Sequence, residues 1–196
     1  MIVIVGLGNP GEKYAGTRHN VGSTVVRAWC KKLGIGLRGR RFQSRHVITV
    51  FQKKALVLLC PVTYMNNSGL AVRACVENFE IEPRDLLVVH DDLDLPLGRL
   101  KMVRKGGSGG HKGAQSVIQH LGTDEFPRLK IGIGRPRFGE SVEDFVLSPF
   151  YEDEQGVVEK VIDAAVRACE LFVSMGVEAA MNRTNCQNLA EKEVAD

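Results

Sequence analysis

The 196-residue sequence predicts an α/β fold: a single-domain sandwich whose mixed, largely parallel twisted sheet is covered by helices. Three observations carry this. Short apolar runs of strand type alternate with stretches of helical period along the whole chain. Polar or glycine-rich clusters stand directly after several of the strand-like runs, as in folds whose ligands gather at the carboxyl ends of strands. No repeat, linker or low-complexity segment breaks the alternation, so residues 1–185 read as one domain and 186–196 as a loose tail.

Taken in order, MIVIV is a strand of the buried type, followed by the long polar loop GLGNPGEKYAGTRHN. Apolar helical spacing begins at Val21 and continues through Val25, Trp29 and Leu33, which predicts a helix over that span. HVITVF and ALVLLC, separated by Gln52-Lys53-Lys54, read as a hairpin-like pair of strands. The loop PVTYMNNSG leads into a helix from about Ser68 to Phe79. LLVVH, Leu86 to His90, is a strand, and GRLKMVR is another with partial polar alternation. KGGSGGHKG is a glycine-rich turn into a short helix ending near Leu121-Gly122; LKIGIG is the last strand, and Asp153 to Met175 the last long helix.

No apolar run approaches the roughly 20 residues that span a bilayer, and no basic region precedes the first apolar stretch, so a soluble, unprocessed protein is expected. The five cysteines are an odd number without a C-x-x-C pair and sit mostly among apolar neighbours. They read as buried thiols in a reducing compartment, the cytoplasm. Charge is unevenly placed: Lys13 to Val76 holds twelve Lys and Arg and no acid, whereas Glu140 to Asp196 holds thirteen Asp and Glu against four Lys and Arg. A second acid-free stretch runs from Leu95 to Thr123. Such a bias fits either a solvated surface or a polyanion footprint on one face.

Gly6, Gly8 and Gly11 form a G-x-G-x-x-G after a strand, the frame of a dinucleotide fingerprint. That frame needs a helix straight after the loop and an acid about 20 residues on, and neither is present. Ser108 lies in G-G-S-G-G, yet the downstream acid-then-histidine of a serine hydrolase is missing. His90, Asp91, Asp92 and Asp94, with His111, could supply metal ligands, but neighbours at a strand end point in alternating directions and cannot all face one ion. A third chemistry uses water as nucleophile. His19 as general base and Asp91 as its orienting carboxylate fit it, with Asn9 and Asn66 as amides that place water or hydrogen-bond a carbonyl.

The segments GLGNPGEKYAGTRHNVG, PVTYMNNSG, HDDLDLPLGRLKMVRKGGSGGHKG and FPRLKIGIGRP, with VEDFVL after them, resemble the bacterial-type peptidyl-tRNA hydrolases in the same order and over most of the chain. The resemblance implies a cofactor-free and metal-free esterase, a monomer, that cleaves the ester between peptide and tRNA 3′ ribose and so recycles tRNA. It implies His19 as base, Asp91 as its partner, Asn9 and Asn66 as positioning amides, and Tyr14 and Met65 lining the cleft. Lys101, Arg104, Lys105 and Arg128 match positions near the tRNA acceptor stem and 3′ end. Lys112 stands where the family usually has Asn, which leaves the local geometry of the glycine loop open and offers an extra contact to the 3′-terminal phosphates of the tRNA. A catalytically silent RNA-binding relative is the alternative from another class.

Overall fold

The computed structural model describes residues 1–190. Six strands, β1 Ile2–Gly6, β2 Ser44–Phe51, β3 Lys54–Pro61, β4 Leu86–Asp92, β5 Leu100–Val103 and β6 Arg128–Gly132, form one sheet in the order β2-β3-β1-β4-β6-β5. β3, β1, β4 and β6 are mutually parallel, and the edge strands β2 and β5 run antiparallel to their neighbours. The expected mixed, largely parallel sheet is therefore present. The β2–β3 connection turns at Gln52 and Lys53, both in the left-handed region (φ 47° and 65°), the pattern of a two-residue hairpin turn whose twist matches the strands.

The apolar runs of β1, β3 and β4 are continuous because both faces of these strands are covered. Side chains alternate: Ile4, Leu56, Leu58, Leu87 and Val89 enter one core, and Val3, Val5, Val57, Leu59, Leu86 and Val88 the other. Helices α1 Val21–Lys32 and α5 Gln155–Met175 cover the first face, with Trp29 and Phe172 among its buried side chains. Helices α2 Ser68–Phe79 and α3 Lys112–Leu121 cover the second through Val72, Cys75 and Val117. A short helix α4, Val142–Val146, and a C-terminal helix α6, Val177–Thr184, complete the described elements. Among them no helix is long and apolar enough to cross a membrane.

Two departures from the sequence reading concern ends. The segment after Asn185 was expected to be loose, yet Asn185 exchanges two hydrogen bonds with the backbone of Met102 (2.7 and 3.0 Å), and Leu189 N–H donates to Gly98 O. Residues 186–190 are thus tied to β5 and the turn before it; residues 191–196 of the expected tail lie outside the described residues. Cysteines 30, 60, 75 and 169 are buried as expected, whereas Cys186 is exposed; all five are free.

What positions the site is the approach of α1 to the sheet. A Cβ on Gly22 would lie 2.2 Å from the carbonyl oxygen of Val89, so only glycine lets the start of α1 rest directly on β4. The turn that precedes α1, Arg18–Asn20, is thereby held above the carboxyl end of β4, where Asp91 stands.

Candidate active site

Four segments meet at the carboxyl ends of the parallel strands: the loop after β1, the turn after β3, the end of β4 and the glycine-rich loop before α3. Their first ties are made by asparagine side chains. Asn20 accepts the Asn9 N–H through its Oδ1 (2.7 Å) and returns Nδ2–H to the Asn9 carbonyl (3.0 Å), closing the β1 loop on itself. The Oδ1 of Asn9 then accepts the N–H of Met65 (2.8 Å), fixing the turn Met65–Asn67 beside it. With its oxygen used this way, Asn9 keeps its Nδ2–H groups for the cleft it lines.

At the centre, Asp91 serves two histidines. His19 Nδ1 lies 3.0 Å from both carboxylate oxygens of Asp91, and His111 Nε2 lies 2.9 Å from Oδ1. The tautomer of His111 follows from its other side. Its Nδ1 accepts the N–H groups of Gly113 and Ala114, each at 3.1 Å, as the N-cap of α3, so Nδ1 carries no proton and Nε2–H donates to Asp91. Close approach here again requires glycine, because a Cβ on Gly113 would lie 2.4 Å from the sulfur of Met65. His19 meets Asp91 through Nδ1–H, which leaves its Nε2 with a lone pair, the form a general base needs.

Burial raises the Asp91 carboxyl, but the imidazoles of His111 and His19 outweigh it and hold the group below the usual carboxylate range, ionised. His90, also buried, donates Nδ1–H to the Asp91 carbonyl (2.6 Å) and packs 4.6 Å from the His111 ring. Burial first, and His111 second, push its imidazole down to about 3, so it stays neutral.

His19, Asp91 and His111 bring donor atoms within 4.8 Å of one another, a spacing a metal ion can use. The tautomer argues against that use. To ligate through Nε2, His111 would have to move its proton to Nδ1, where two backbone N–H groups already point. The other carboxylates considered as ligands are engaged elsewhere, Asp92 by Lys130 (2.8 Å) and Asp94 by Arg135.

The cleft these groups share has a volume of about 860 Å³. Asn9, Tyr14, His19, Met65, Asn66 and Lys112, all proposed from the sequence, line it together with Asp91. Asn66 and Lys112 are exposed, whereas Met65 is buried. Lys101 is exposed on β5, outside this lining. Arg104 and Lys105 are exposed and paired with Glu178 (3.0 Å) and Glu125 (2.7 Å). Exposed pairs of this kind are weak and exchange readily for another anion. Arg128 corrects the expectation: it is 1% exposed, and its guanidinium donates to the carbonyls of Gly107 (2.7 Å) and Gly106. It braces the glycine-rich loop from inside and offers nothing to a phosphate.

Three features escaped the sequence reading. From the sequence His111 reads only as a metal-ligand candidate; its position just before an amphipathic helix is the signal for a capping role. Another part of the lining is α4, too short for a periodic signal, through Val142 and Val146, with Leu147 just after it. Arg18, beside His19, is fully buried between the rings of Phe145 and Tyr151 (4.1 and 4.2 Å to the centroids) and paired with Glu154 at 2.7 Å.

A family model described as Peptidyl-tRNA hydrolase matches residues 3–193. Among curated relatives, the peptidyl-tRNA hydrolase of Bacillus subtilis (strain 168) is 43% identical over 187 residues, covering 95% of this chain and 100% of its own. That of Symbiobacterium thermophilum is 48% identical over 185 residues, 93% of this chain and 98% of its own. Among solved structures, the crystal structure of peptidyl-tRNA hydrolase from Acinetobacter baumannii aligns over 97% of both chains with TM-score 0.90 and 37% identity.

Proposed function

This chain belongs to the peptidyl-tRNA hydrolase family, and from that premise we propose that it splits the peptidyl-tRNA ester by attack of a water that His19 deprotonates. The observation that carries the proposal is the pairing of His19 Nδ1 with both oxygens of Asp91 at 3.0 Å, which leaves Nε2 as the only ring nitrogen able to accept a proton.

In this mechanism the ester carbonyl lies beside Asn9, whose Nδ2–H groups donate to the oxygen as it becomes an oxyanion. Asn66 positions the water or the 3′-terminal ribose from the rim. Proton transfer from water to Nε2 makes His19 an imidazolium, which the ionised Asp91 faces directly; His111 holds Asp91 in place from the other side. Collapse of the tetrahedral intermediate breaks the bond to the ribose oxygen, which takes the proton back from His19. The products are a peptide acid and a tRNA with a free ribose hydroxyl, and the base is regenerated.

The nucleic-acid part leaves the cleft toward α3 and β5, where Lys112, Lys101, Arg104 and Lys105 are exposed for the phosphates of the 3′ end and acceptor stem. The protein works as a monomer in the cytoplasm, a placement that five free cysteines suit. No metal takes part, and activity is expected to survive chelation with EDTA once the tRNA itself is kept folded. Recovery of a chelated, inactive enzyme by zinc or manganese but not magnesium would overturn this part.

The test is release of tRNA from N-blocked and from free aminoacyl-tRNA. The wild type is expected to cleave the blocked substrate. His19→Ala should lose activity on the order of 10²–10⁴-fold with little change in tRNA affinity, because the base acts on water. A variant keeping more than about a tenth of wild-type kcat removes His19 from the role. Binding of tRNA without any release would mark the silent RNA-binding relative instead.

A further inference from the structure

On the far side of the Asn9 loop from the catalytic cleft lies a second cavity of about 800 Å³. Asn9 lines both hollows, so the two share a wall at this residue. The second is lined by Arg27 of α1 and Arg45 of β2, with Thr24, Asn20, Gly11 and Pro61 among its other walls. Arg45 stands opposite Cys60 in the β2–β3 register, and cross-strand partners share a face of the sheet. The Cys60 thiol contacts the Ser23 carbonyl of α1 at 3.9 Å, so Arg45 projects toward the same helix that carries Arg27.

Neither arginine has a carboxylate partner among the described residues. This is unusual for the molecule, whose Arg18, Arg73, Arg84, Arg104, Arg135 and Arg137 all pair with Asp or Glu. The cavity's surroundings explain it, since the chain from Lys13 to Val76 contains no acid. Glu12 is the one acid in the lining and offsets only one of the two guanidinia, so one positive charge stays in excess. Two like charges facing one hollow are unfavourable until an anion enters between them. A guanidinium offers planar paired donors that match a phosphate.

We propose that this cavity is a phosphodiester-binding site for the RNA substrate, separate from the exposed lysines beside α3. The proposal rests on the reading of the chain as a peptidyl-tRNA esterase, because that substrate is the polyanion that reaches Asn9. Strand or stem that passes the Asn9 loop sets a backbone phosphate between Arg27 and Arg45, so the RNA is held on both sides of the residue that contacts the ester.

The experiment compares wild type with the double variant Arg27→Gln/Arg45→Gln and its charge-keeping control Arg27→Lys/Arg45→Lys. Binding of deacylated tRNA is measured across a salt series, and hydrolysis is followed with N-blocked aminoacyl-tRNA and with an N-blocked aminoacyl-CCA fragment. Wild-type turnover of the full substrate tests the underlying esterase reading independently of the variants. The Gln pair is expected to flatten the slope of log K against log salt by about 1.4–1.8, the release of roughly two counterions. It should also raise KM for tRNA about tenfold at low salt while kcat stays within about twofold, and the Lys pair should keep the wild-type slope. A KM effect shared by the fragment assigns the phosphates of the 3′-terminal single strand; one confined to full-length tRNA assigns those of the stem. Parallel salt slopes, a loss confined to kcat, or a Lys pair as weak as the Gln pair would overturn the proposal.

Discussion

The side-chain oxygen of Asn9 accepts the backbone N–H of Met65 at 2.8 Å, across 56 residues of sequence. This one bond joins the loop after β1 to the turn after β3 and sets which end of the carboxamide faces the cleft. Asn9→Asp keeps an acceptor for Met65 but replaces the donor with a carboxylate oxygen. We expect the fold to survive and kcat to fall on the order of 10²–10³-fold, because an anion then faces the developing oxyanion. Stopped-time assays beside a thermal melt check this; an active Asn9→Asp enzyme would remove the amide from the chemistry.

His90 makes stability depend on pH. Its imidazole sits at about 3 when folded and near 6.5 when unfolded, so between those values the unfolded chain binds the extra proton. Stability is therefore lost as pH falls from about 6.5 toward 3, by up to about 1.4 kcal/mol per pH unit from this group. Asp91, whose folded value lies below its unfolded one, adds a loss of the same sign as pH falls below about 4. Urea unfolding of wild type and His90→Gln across pH 7 to 4 should show a shallower fall for the variant. Equal pH slopes would mean that His90 is charged in the fold.

Lys112 is exposed at the first position of α3 and lines the cleft, at the positive end of the helix dipole. A contact with one 3′-terminal phosphate would release about one counterion, so Lys112→Asn is expected to flatten the salt dependence of tRNA binding by about 0.7–0.9. Affinity should fall modestly at low salt and hardly at high salt, with kcat held or raised. Unchanged slopes would leave Lys112 as a solvent-facing residue.

Arg18 ties the turn bearing His19 to the wall of the cleft. Its N–H donates to Ser148 O (3.0 Å), its guanidinium reaches the Pro149 carbonyl, and Glu154 pairs with it at 2.7 Å. Removing Arg18 leaves Glu154 with the Tyr151 N–H and a 4.0 Å approach from Arg137, and it empties a buried cation site between two rings, so Arg18→Met is expected to cost about 3 kcal/mol. Residual folded enzyme should also turn over more slowly, since the base loses its anchor. Urea titrations of Arg18→Met and of the milder Glu154→Gln measure the first effect, and kcat at saturating substrate the second. A stability within about 1 kcal/mol of wild type would show that the pair is not a strut.

The sheet was legible because burial on both faces writes continuous apolar runs such as IVIV and LLVV, with turns marked between them. The pairing of His19 with Asp91 was legible because both stand in long, ordered motifs. His111 was not, since its partnership with Asp91 depends on where an N-cap places a ring relative to a strand end. Arg128 misled for a related reason: a basic residue in a basic stretch reads as surface, and only the packing around β6 shows its guanidinium turned inward to the carbonyls of Gly106 and Gly107. Residues 142–146 form a helix too short for a 3.6-residue period to stand out.

The hydrogen-bonded pair His19 and Asp91 is separated by 72 residues, and Asn9 and Met65 by 56. Neither pairing has a local turn to bring it about; each waits on parallel strands that are themselves joined across long intervals. Contacts of such sequence separation form slowly and late when a chain refolds. Hydrolytic activity in a refolding experiment should consequently rise behind helical ellipticity and behind burial of Trp29, making turnover a reporter of strand order rather than of collapse.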